Sequence, residues 1–412
     1  MIKENELQLS NEAYNGETRK KHLVNEINRS FWNHDRMVEN LKSGMAMDLT
    51  DAPKAEDAPI LIIGSGPSFD RVAPYLKDWK GDIMCSTSQA ATCIYYGKNP
   101  KFIVALDPES FDMELTADDF AGRDCILIAH PGVTTGLIDF WQGKSYYFRK
   151  ILPQTAFYSN AQRIGYSTTD PEHKILIKES LIMLACVAAA QVCIAKILGY
   201  KRMYLCGLDF GCPAEQTRFT QYKYSYEKKV FAPGNAPEIA LGTIGRWEKQ
   251  NPPPMTAAEN VLGENGCKTS NMQAFYKLQF MTGWWILKGD FVNVSSDGLL
   301  YELPQTTIEE VIRKQGEGIK GFHQKKVCEV ADVYLARHNT FVIEIGPGKI
   351  SVMQCKDPLK EIPIVIDRLT KASKEQGQPI KINKRANMIR IGRILKQVGW
   401  HAPAKALAKK AG

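Results

Sequence analysis

Short apolar runs alternate with longer mixed segments through the first half of the chain. Ile60–Ile63 is a run of four apolar residues and predicts a buried parallel strand. Later runs predict further strands, at 82–86, 101–106, 125–129, 145–149 and 202–206. A long apolar helix is predicted over about 177–198, ending at Gly199. Repeated strand–helix units predict an α/β fold, a Rossmann-like, mostly parallel sheet with helices on both faces.

A glycine-rich loop follows the first predicted strand directly: Gly64, Ser65, Gly66, Pro67 and Ser68. The glycines permit a tight turn, and the proline suits the first turn of a helix. Hydroxyls beside free N–H groups at a helix start favour a bound phosphate. The spacing is neither the G-x-G-x-x-G dinucleotide motif nor a Walker A loop. A strand–turn–helix junction without a ligand is the alternative interpretation.

Polar residues follow other predicted strands, at the edge where parallel sheets bind ligands. Asp107 follows the third strand, His130 the fourth and Asp209 the sixth. A carboxylate here can act as a base toward an acceptor hydroxyl, and a histidine can act as an acid or a base. The structural alternatives are a turn start for Asp107, a helix cap for Asp209 and a packing role for His130.

Composition narrows the class of protein and its compartment. The chain has 412 residues, 44% hydrophobic and 24% charged, as in soluble globular proteins of two or three domains. Ten scattered cysteines lack C-x-x-C spacing, which indicates buried thiols in a reducing compartment rather than disulfides or a zinc site. The polar N-terminus and the short apolar stretch Leu181–Ala195 predict neither a signal peptide nor a membrane span. We expect a cytoplasmic protein.

Three segments are predicted along the chain. Residues 1–55 form a polar helical extension, 56–310 the Rossmann-like domain and 311–412 a basic module. Within the second segment, residues 211–270 are polar and rich in Tyr, Lys and Pro, which predicts a lid over the ligand edge or a disordered surface loop. Residues 351–412 carry a net charge of +10, whereas the first 350 residues carry about −2. This asymmetry indicates a polyanion-binding module, or alternatively a solvated basic surface.

The basic tail is predicted to be a small α+β module. A hairpin is expected over 339–355, followed by helices near 358–376 and 384–400. The last helix has one apolar face: Met388, Ile391, Leu395 and Val398. Five cations fill much of its remaining surface: Lys384, Arg385, Arg390, Arg393 and Lys396. The helix resembles the recognition helix of a winged-helix or helix-turn-helix module, which implies DNA as a partner. The alternative is an amphipathic helix docked on the body of the protein with solvated lysines.

Three motifs, in this order, resemble the MptE-like family, which includes the Maf flagellin glycosyltransferases and an archaeal hydroxymethylpterin pyrophosphokinase. They are Ile62–Ser68, Val104–Pro108 and Gly207–Phe210, within a resemblance that covers roughly 55–305. The layout is also similar to bacterial sialyltransferases that use CMP-sugars and share a Gly-x-Gly-Pro-Ser loop. The resemblance implies nucleotide binding in a Rossmann-like domain.

The resemblance also implies roles for particular residues. The loop 64–68 and Gly207 would hold phosphate or nucleotide, and Asp107 and Asp209 would bind ribose, metal or acceptor. Ser180 and Thr269 would line the pocket. The chain departs from its relatives in two places: residues 211–222 contain no histidine, and Lys178–Glu179 replace the expected glycines before Ser180. These departures bear on the identity of the substrate.

Three functions from different classes fit these observations. The first is a nucleotide-dependent transferase, most simply a glycosyltransferase with a nucleotide-sugar donor and a polyanionic acceptor, as in phage-type DNA modification. The sequence contains no cluster of side chains with the spacing of a transition-metal site. The second is a pyrophosphokinase that transfers diphosphate from ATP, with Mg²⁺, to a small heterocyclic alcohol. The third is a non-catalytic nucleic-acid-binding protein on a Rossmann scaffold.

Overall fold

The structure of the chain is a computed structural model. It divides into two compact units, residues 1–283 with 289–322 and residues 284–288 with 323–412. The residues that the structure describes are 34–55, 57–106, 122–130, 133, 137, 141, 143–151, 180–182, 186–213, 255–258, 267–295, 298–314, 324–346, 349–375 and 382–400.

The elements alternate between strands and helices in the first unit. Its helices are α1 (His34–Ser43), α2 (Phe69–Val72), α3 (Thr87–Tyr95), α4 (Val187–Ile197), α5 (Asn271–Leu287) and α6 (Ile308–Arg313), with 3-10 helices at Leu49–Asp51 and Ala73–Asp78. The last turn of α5, from Trp284, falls in the second unit. Its strands are β1 (Ala46–Asp48), β2 (Ile60–Ile63), β3 (Asp82–Ser86), β4 (Phe102–Ala105), β5 (Ile126–Ala129), β6 (Ser145–Tyr147), β7 (Arg149–Ile151), β8 (Ser180–Ile182), β9 (Met203–Cys206), β10 (Cys212–Pro213), β11 (Met255–Ala258), β12 (Cys267–Ser270) and β13 (Phe291–Asn293). The second unit contains α7 (Gln324–Arg337), β14 (Thr340–Gly346), β15 (Lys349–Gln354), α8 (Pro358–Glu375) and α9 (Lys384–Gln397).

Eight strands of the first unit form one sheet, in the order β1-β6-β5-β4-β3-β2-β9-β13. Every neighbouring pair in it is parallel. Ile60 pairs with Asp82 on one side and with Met203 on the other, so β2 lies between β3 and β9. The predicted fold class, a Rossmann-like and mostly parallel sheet, is confirmed.

The central strands are apolar on both faces of the sheet. Because side chains alternate along a strand, Leu61 and Ile63 point to one face and Ile60 and Ile62 to the other. The first face packs against α2, the 3-10 helix at 73–78 and α3. Helix α4 contacts β2, β3 and β4, and its buried side chains lie outside that cluster, so it covers the second face. Each isoleucine buried in this way contributes about 1.5–3 kcal/mol of hydrophobic stabilisation.

The order of the strands reverses at β2. Strands β3 to β6 follow on one side of it, and β9 and β13 lie on the other. Open parallel sheets bind ligands in the crevice outside the carboxyl ends of the strands at such a switch point. Here the ends of β2 and β9 meet, which brings the loop after Ile63 beside the loop after Cys206.

Two elements differ from the sequence-based expectations. Within the predicted N-terminal extension, Ala46–Asp48 forms β1, which extends the sheet by pairing with β6. The predicted helix over 177–198 is wrong in its first part, because Ser180–Ile182 forms β8 and the helix begins at Val187. Pairing with Arg149–Ile151 satisfies the backbone groups of β8. A short apolar run has the same pattern in a strand as in a buried helix, so the sequence does not separate the two.

The described part of the predicted insertion, residues 211–270, is a small antiparallel sheet. Its order is β10-β12-β11, with Thr256 opposite Thr269 and Cys212 opposite Lys268. This sheet carries the backbone from β9 toward α5. Residues 214–254 and 259–266 of the predicted lid or surface loop lie outside the described residues.

Buried thiols are a feature of both units. Six of the cysteines in the described part of the chain are buried: Cys85, Cys93, Cys125, Cys193, Cys206 and Cys355. Burial raises the pKa of Cys85 and Cys206 well above the usual thiol range, so both stay protonated at neutral pH. None of the helices among the described residues is long and apolar enough to span a bilayer.

The second unit has its own core. The predicted hairpin forms, with Thr340 opposite Gln354 and Ile343 opposite Ser351. The helices expected after it also form, as α8 and α9. Helices and hairpin share one set of buried apolar side chains: Ala336, Phe341, Ile343, Cys355, Ile362, Ile366, Ile391, Ile394 and Leu395. The likeness of this unit to a winged-helix module stays a prediction.

Candidate functional site

Two glycine loops touch at the carboxyl ends of β2 and β9. The Gly64 N–H donates to the Cys206 carbonyl and the Gly66 N–H to the Gly207 carbonyl, each at 2.8 Å. A Cβ atom added to Gly64 would lie 2.4 Å from the Gly207 oxygen, and one added to Gly207 would lie 2.4 Å from the Gly64 oxygen. Gly207 also has φ = +66°, a conformation that side chains disfavour. Glycine at both positions therefore permits this close approach.

A buried carboxylate joins the same two loops. Asp209 accepts the Ser68 N–H through Oδ2 at 2.8 Å, and accepts the Ser68 hydroxyl through Oδ1. The Ser68 hydroxyl in turn accepts the Gly207 N–H at 3.1 Å. Ser68 is 0% and Asp209 3% exposed. Both carboxylate oxygens of Asp209 accept hydrogen bonds from Ser68. These contacts indicate that Asp209 holds the two glycine loops in position. The base role of Asp209 and the nucleotide contact of Ser68 stay predictions.

The helix start after the loop differs from the sequence-based expectation of free N–H groups. The N–H groups of Phe69, Asp70 and Arg71 donate to the carbonyls three residues earlier, at 3.1–3.3 Å. Helix α2 is only four residues long and continues into a 3-10 helix, so its first turn is closed by i→i+3 bonds. The predicted phosphate-binding role of the loop therefore cannot rest on these amides.

Three serines and a glutamine form a second polar group, at the carboxyl ends of β2 and β3. We call it the serine cluster: Ser65, Ser86, Ser88 and Gln89. Ser88 Oγ lies 2.8 Å from Ser65 Oγ and 2.9 Å from Ser86 Oγ. Gln89 Nε2 donates to Ser65 Oγ at 3.2 Å, and its buried Oε1 has no hydrogen-bond partner within the described part of the chain. Ser65 is half-buried, so the cluster can be reached from solvent.

Sequence reasoning predicted only one member of the serine cluster, Ser65. The signal for the others is the Ser-Thr-Ser run at 86–88, where an apolar strand gives way to a helix. Ser86 precedes α3 as its cap residue, but its side chain does not cap a backbone N–H of the helix. Its hydroxyl is directed into the cluster instead, 2.9 Å from Ser88 Oγ.

The loop after β13 closes on Asp209 from another side. The Leu299 N–H donates to the Asp209 carbonyl at 2.8 Å, and a Cβ added to Gly298 would lie 2.7 Å from the Asp209 Cα. Buried Lys277 on α5 holds this loop, donating to the Leu299 carbonyl at 2.5 Å and to the Glu302 carboxylate at 2.9 Å. Burial lowers the pKa of the Lys277 ammonium, and the carboxylate partner opposes that effect. The sequence did not indicate this support.

The remaining predicted site residues are distributed along the same edge. Thr269 lies beside Asp209, because its hydroxyl donates to the Phe210 carbonyl at 2.8 Å. His130 is buried at the end of β5, three strands or about 14 Å from β2. The backbone of Ser180 belongs to the separate β7–β8 pair, and Asp107 lies outside the described residues. Over the described ranges, no three His, Cys, Asp or Glu side chains are grouped to hold a metal.

Four of the five cations predicted on the last helix lie on its exposed surface: Lys384, Arg385, Arg393 and Lys396. Lys384 forms an ion pair with Asp367 of α8 at 2.8 Å. This pair is solvent-exposed and contributes at most about 1 kcal/mol. Exposed cations of this kind remain accessible to a polyanion.

Arg390, the fifth predicted cation, is directed into the second unit instead. Its guanidinium donates to the Val342 carbonyl and lies 3.7 Å from the Asp332 carboxylate and 5.1 Å from the centre of the Trp285 ring. Helical periodicity explains the difference, since Arg390 lies one turn from the buried residues Asn387 and Ile394. These contacts fit a residue that anchors α9, so its predicted contact with nucleic acid is not supported by its position.

We expect Asp332 to make stability depend on pH. Burial raises the pKa of its carboxyl to about 6, helped by Glu344 and Glu329 and opposed by Arg390. Because this pKa exceeds that of the same carboxyl in the unfolded chain, the folded state keeps the proton to a higher pH. Stability is therefore lost as pH rises from about 4 to 6, by about 3 kcal/mol. Urea unfolding of Asp332→Asn and the parent protein at several pH values checks this. Parallel curves for the two proteins would contradict it.

A family model matches part of the chain. Residues 35–215 match the family described as 6-hydroxymethylpterin diphosphokinase MptE-like. The resemblance that the motifs indicate is therefore confirmed over these residues, which include β2, the glycine loops and the serine cluster. None of the curated protein sequences matches the chain significantly.

Two solved structures are similar to this chain at low sequence identity. The Maf glycosyltransferase from Magnetospirillum magneticum AMB-1 is 16% identical, with a TM-score of 0.45, over 75% of this chain and 41% of that protein. The sialyltransferase CstII from Campylobacter jejuni, solved in complex with a substrate analogue, cytidine-5'-monophosphate, is 14% identical, with a TM-score of 0.25, over 46% of this chain and 78% of that protein. The chain thus spans less than half the length of the Maf enzyme.

Proposed function

We propose that this chain, which is MptE-like over residues 35–215, is a nucleotide-dependent transferase. The observation that carries the proposal is the meeting of two glycine loops and the serine cluster at the switch point of the parallel sheet. Ligands of open α/β sheets bind at this place. The name of the matched family, a diphosphokinase, also describes a transferase that uses a nucleotide.

The serine cluster supplies the polar groups that we assign to the nucleotide. Its hydroxyls can donate to phosphate oxygens or accept from ribose hydroxyls, and Gln89 Oε1 offers a buried acceptor without a partner in the described chain. Burial makes such an acceptor costly to leave unpaired, by about 1–3 kcal/mol. A ligand that donates a hydrogen bond to Gln89 would remove this cost. The close contact of Gly64 with Gly207 holds the neighbouring backbone in place for that ligand.

Glycosyl transfer from a nucleotide sugar is the reaction that we favour, because neutral hydroxyl and amide groups suit sugar and ribose hydroxyls. The acceptor oxygen bonds to the anomeric carbon while the bond from that carbon to the phosphate oxygen breaks. The electron pair leaves with the nucleotide, and the acceptor proton passes to a base, for which Asp107, His130 and Asp209 are the predicted candidates. Hydrogen bonds from Ser65 and Ser88 would stabilise the charge on the departing phosphate.

Diphosphate transfer from ATP is the second candidate, which the name of the matched family favours. An acceptor hydroxyl would attack the β-phosphorus and lose its proton to a base. The bond from that phosphorus to the oxygen bridging the α- and β-phosphates would break, and AMP would leave with the electron pair. Mg²⁺, bound to the phosphates and one or two carboxylates, would neutralise charge in this reaction. The basic second unit fits glycosyl transfer better, because it would serve to bind a polyanionic acceptor such as DNA.

A thermal-shift series separates these reactions. CMP, UDP, GDP, ADP and ATP are each added with and without Mg²⁺. A ligand at 100 to 1,000 times its dissociation constant stabilises the protein by about 2.7–4.1 kcal/mol. We expect stabilisation by CMP, UDP or GDP without a metal. Stabilisation by ATP with Mg²⁺ alone would favour the diphosphokinase, and no stabilisation by any nucleotide would contradict both reactions.

Substitution in the serine cluster locates the effect. Ser88→Ala should weaken nucleotide binding by roughly 2- to 10-fold, the value of one neutral hydrogen bond. Ser145→Ala is the control, because this half-buried serine donates one hydrogen bond, to the Met45 carbonyl, at the start of β6 and far from the serine cluster. Equal losses of affinity in the two variants would place the nucleotide elsewhere.

A further inference from the structure

Helix α9 has one face in the core of the second unit and one face in solvent. Ile391, Ile394 and Leu395 are buried against the hairpin and α8. The opposite face presents an uninterrupted exposed stripe: Arg385, Ala386, Ile389, Gly392, Arg393 and Lys396. Ile389 in its centre is 53% exposed, and the helix contains no acidic residue. We call this stripe the basic face of α9.

The orientation of the helix is fixed by buried polar contacts. Asn387 accepts the Glu344 N–H at 3.0 Å and donates to the Glu344 carbonyl at 2.9 Å, so it pairs with the backbone of β14. Arg390 donates to the Val342 carbonyl on the same strand. At the helix start, Asn383 caps Ala386 N at 2.9 Å. A helix held in this way presents the basic face without rearrangement, which lowers the ordering cost of binding.

The chemistry of the basic face distinguishes between classes of partner. A membrane-surface helix inserts an apolar face into lipid, but the apolar face of α9 is already buried in the protein core. The exposed face instead offers cations with an accessible backbone between them. A Cβ added to Gly392 would meet nothing within 4 Å, so this position is open to an approaching surface. Charge complementarity therefore favours a polyanion over a bilayer.

We propose that the basic face of α9 binds duplex DNA through the phosphates that border the major groove. The major groove of B-form DNA, about 12 Å wide, admits an α-helix of about 10–12 Å diameter. Arg385, Arg393 and Lys396 contact phosphates, and Ile389 faces the groove. The major groove of A-form RNA is too narrow for side chains to read. This inference concerns the second unit alone and does not depend on the reaction proposed for the first.

Fluorescence anisotropy of a labelled 20-base-pair duplex, titrated with the full chain between 50 and 200 mM salt, tests the proposal. Each phosphate contact contributes about 0.9 to the slope of log affinity against log salt. Arg393→Gln should therefore reduce the magnitude of the slope by about 0.9. Lys360→Gln, which removes an exposed cation of α8 outside the basic face, should leave it unchanged.

A second variant blocks the basic face without removing a cation. Gly392→Glu places a carboxylate in open space and should weaken DNA binding at least tenfold while the nucleotide thermal shift stays unchanged. Lys360→Glu, a larger change in net charge, should weaken it less. Equal effects of the two variants would attribute binding to net charge and overturn the proposal. Equal affinity for duplex RNA, for anionic vesicles or for an acidic peptide, or no DNA binding at 50 mM salt, would also overturn it.

Discussion

Replacing Gly207 with alanine should destabilise the first unit by about 2–4 kcal/mol. Two costs combine at this position. Alanine at φ = +66° costs about 1 kcal/mol relative to glycine. The added Cβ would also lie 2.4 Å from the Gly64 oxygen, and overpacking of this kind costs about 1–3 kcal/mol because a backbone atom cannot rotate away. Urea unfolding of the variant and the parent protein measures the sum.

Gly199→Ala separates the two costs. Gly199 also has a positive φ, +90°, but a Cβ there would meet nothing within 4 Å. Its substitution should therefore cost only about 1 kcal/mol. If Gly207→Ala costs no more than Gly199→Ala, the two glycine loops do not pack as closely as we describe. Gly207→Ala should also lower nucleotide affinity if the two glycine loops position the ligand.

Asp209→Ala should cost about 3 kcal/mol or more, the second large effect. The substitution leaves the buried Ser68 N–H and hydroxyl without their acceptor. An unpaired buried donor costs about 1–3 kcal/mol, and the carboxylate makes each bond stronger than a neutral acceptor would. Ser68→Ala should cost about 2–3 kcal/mol, because it leaves Asp209 Oδ1 and the Gly207 N–H without this partner.

The double variant determines whether the two residues act through each other. Combining Asp209→Ala with Ser68→Ala should cost less than the sum of the single variants, by about 1.5–3 kcal/mol. Additive costs would mean that the residues stabilise the loops independently. Ser65→Ala is the comparison variant from the same loop, since this serine is half-buried and its hydroxyl bonds within the serine cluster rather than to Asp209. It should change nucleotide affinity more than stability.

The strands of the sheet were predictable because burial on both faces requires continuous apolar runs. Ile60–Ile63 is only four residues long, is rich in β-branched isoleucine and is followed by Gly64, which favours a strand over a buried helix. The edge strand Ala46–Asp48 was not predictable, because its three residues carry no pattern and its place depends on pairing with β6. For Ser180–Ile182, a partner more than 25 residues earlier in sequence decides between strand and helix.

The site was predictable where a single loop carries the signal. Gly64–Ser68 and Asp209 were found from sequence, since each lies in the loop that follows an apolar strand. Their mutual contacts were not, because Ser68 and Asp209 are 141 residues apart and meet only when β9 inserts beside β2. The orientation of Arg390 was likewise unpredictable, because its partners Asp332 and Val342 lie on other elements of the second unit.

Hydrogen exchange with and without nucleotide tests the central claim most directly, namely that a nucleotide binds where the two glycine loops and the serine cluster meet. The nucleotide that stabilises the protein most is added at saturation, and exchange is followed by mass spectrometry of peptides. We predict slower exchange in peptides that cover 64–68, 86–90 and 207–210, and unchanged exchange in the hairpin at 340–354. Slower exchange confined to other segments, or no change at saturation, would contradict the account.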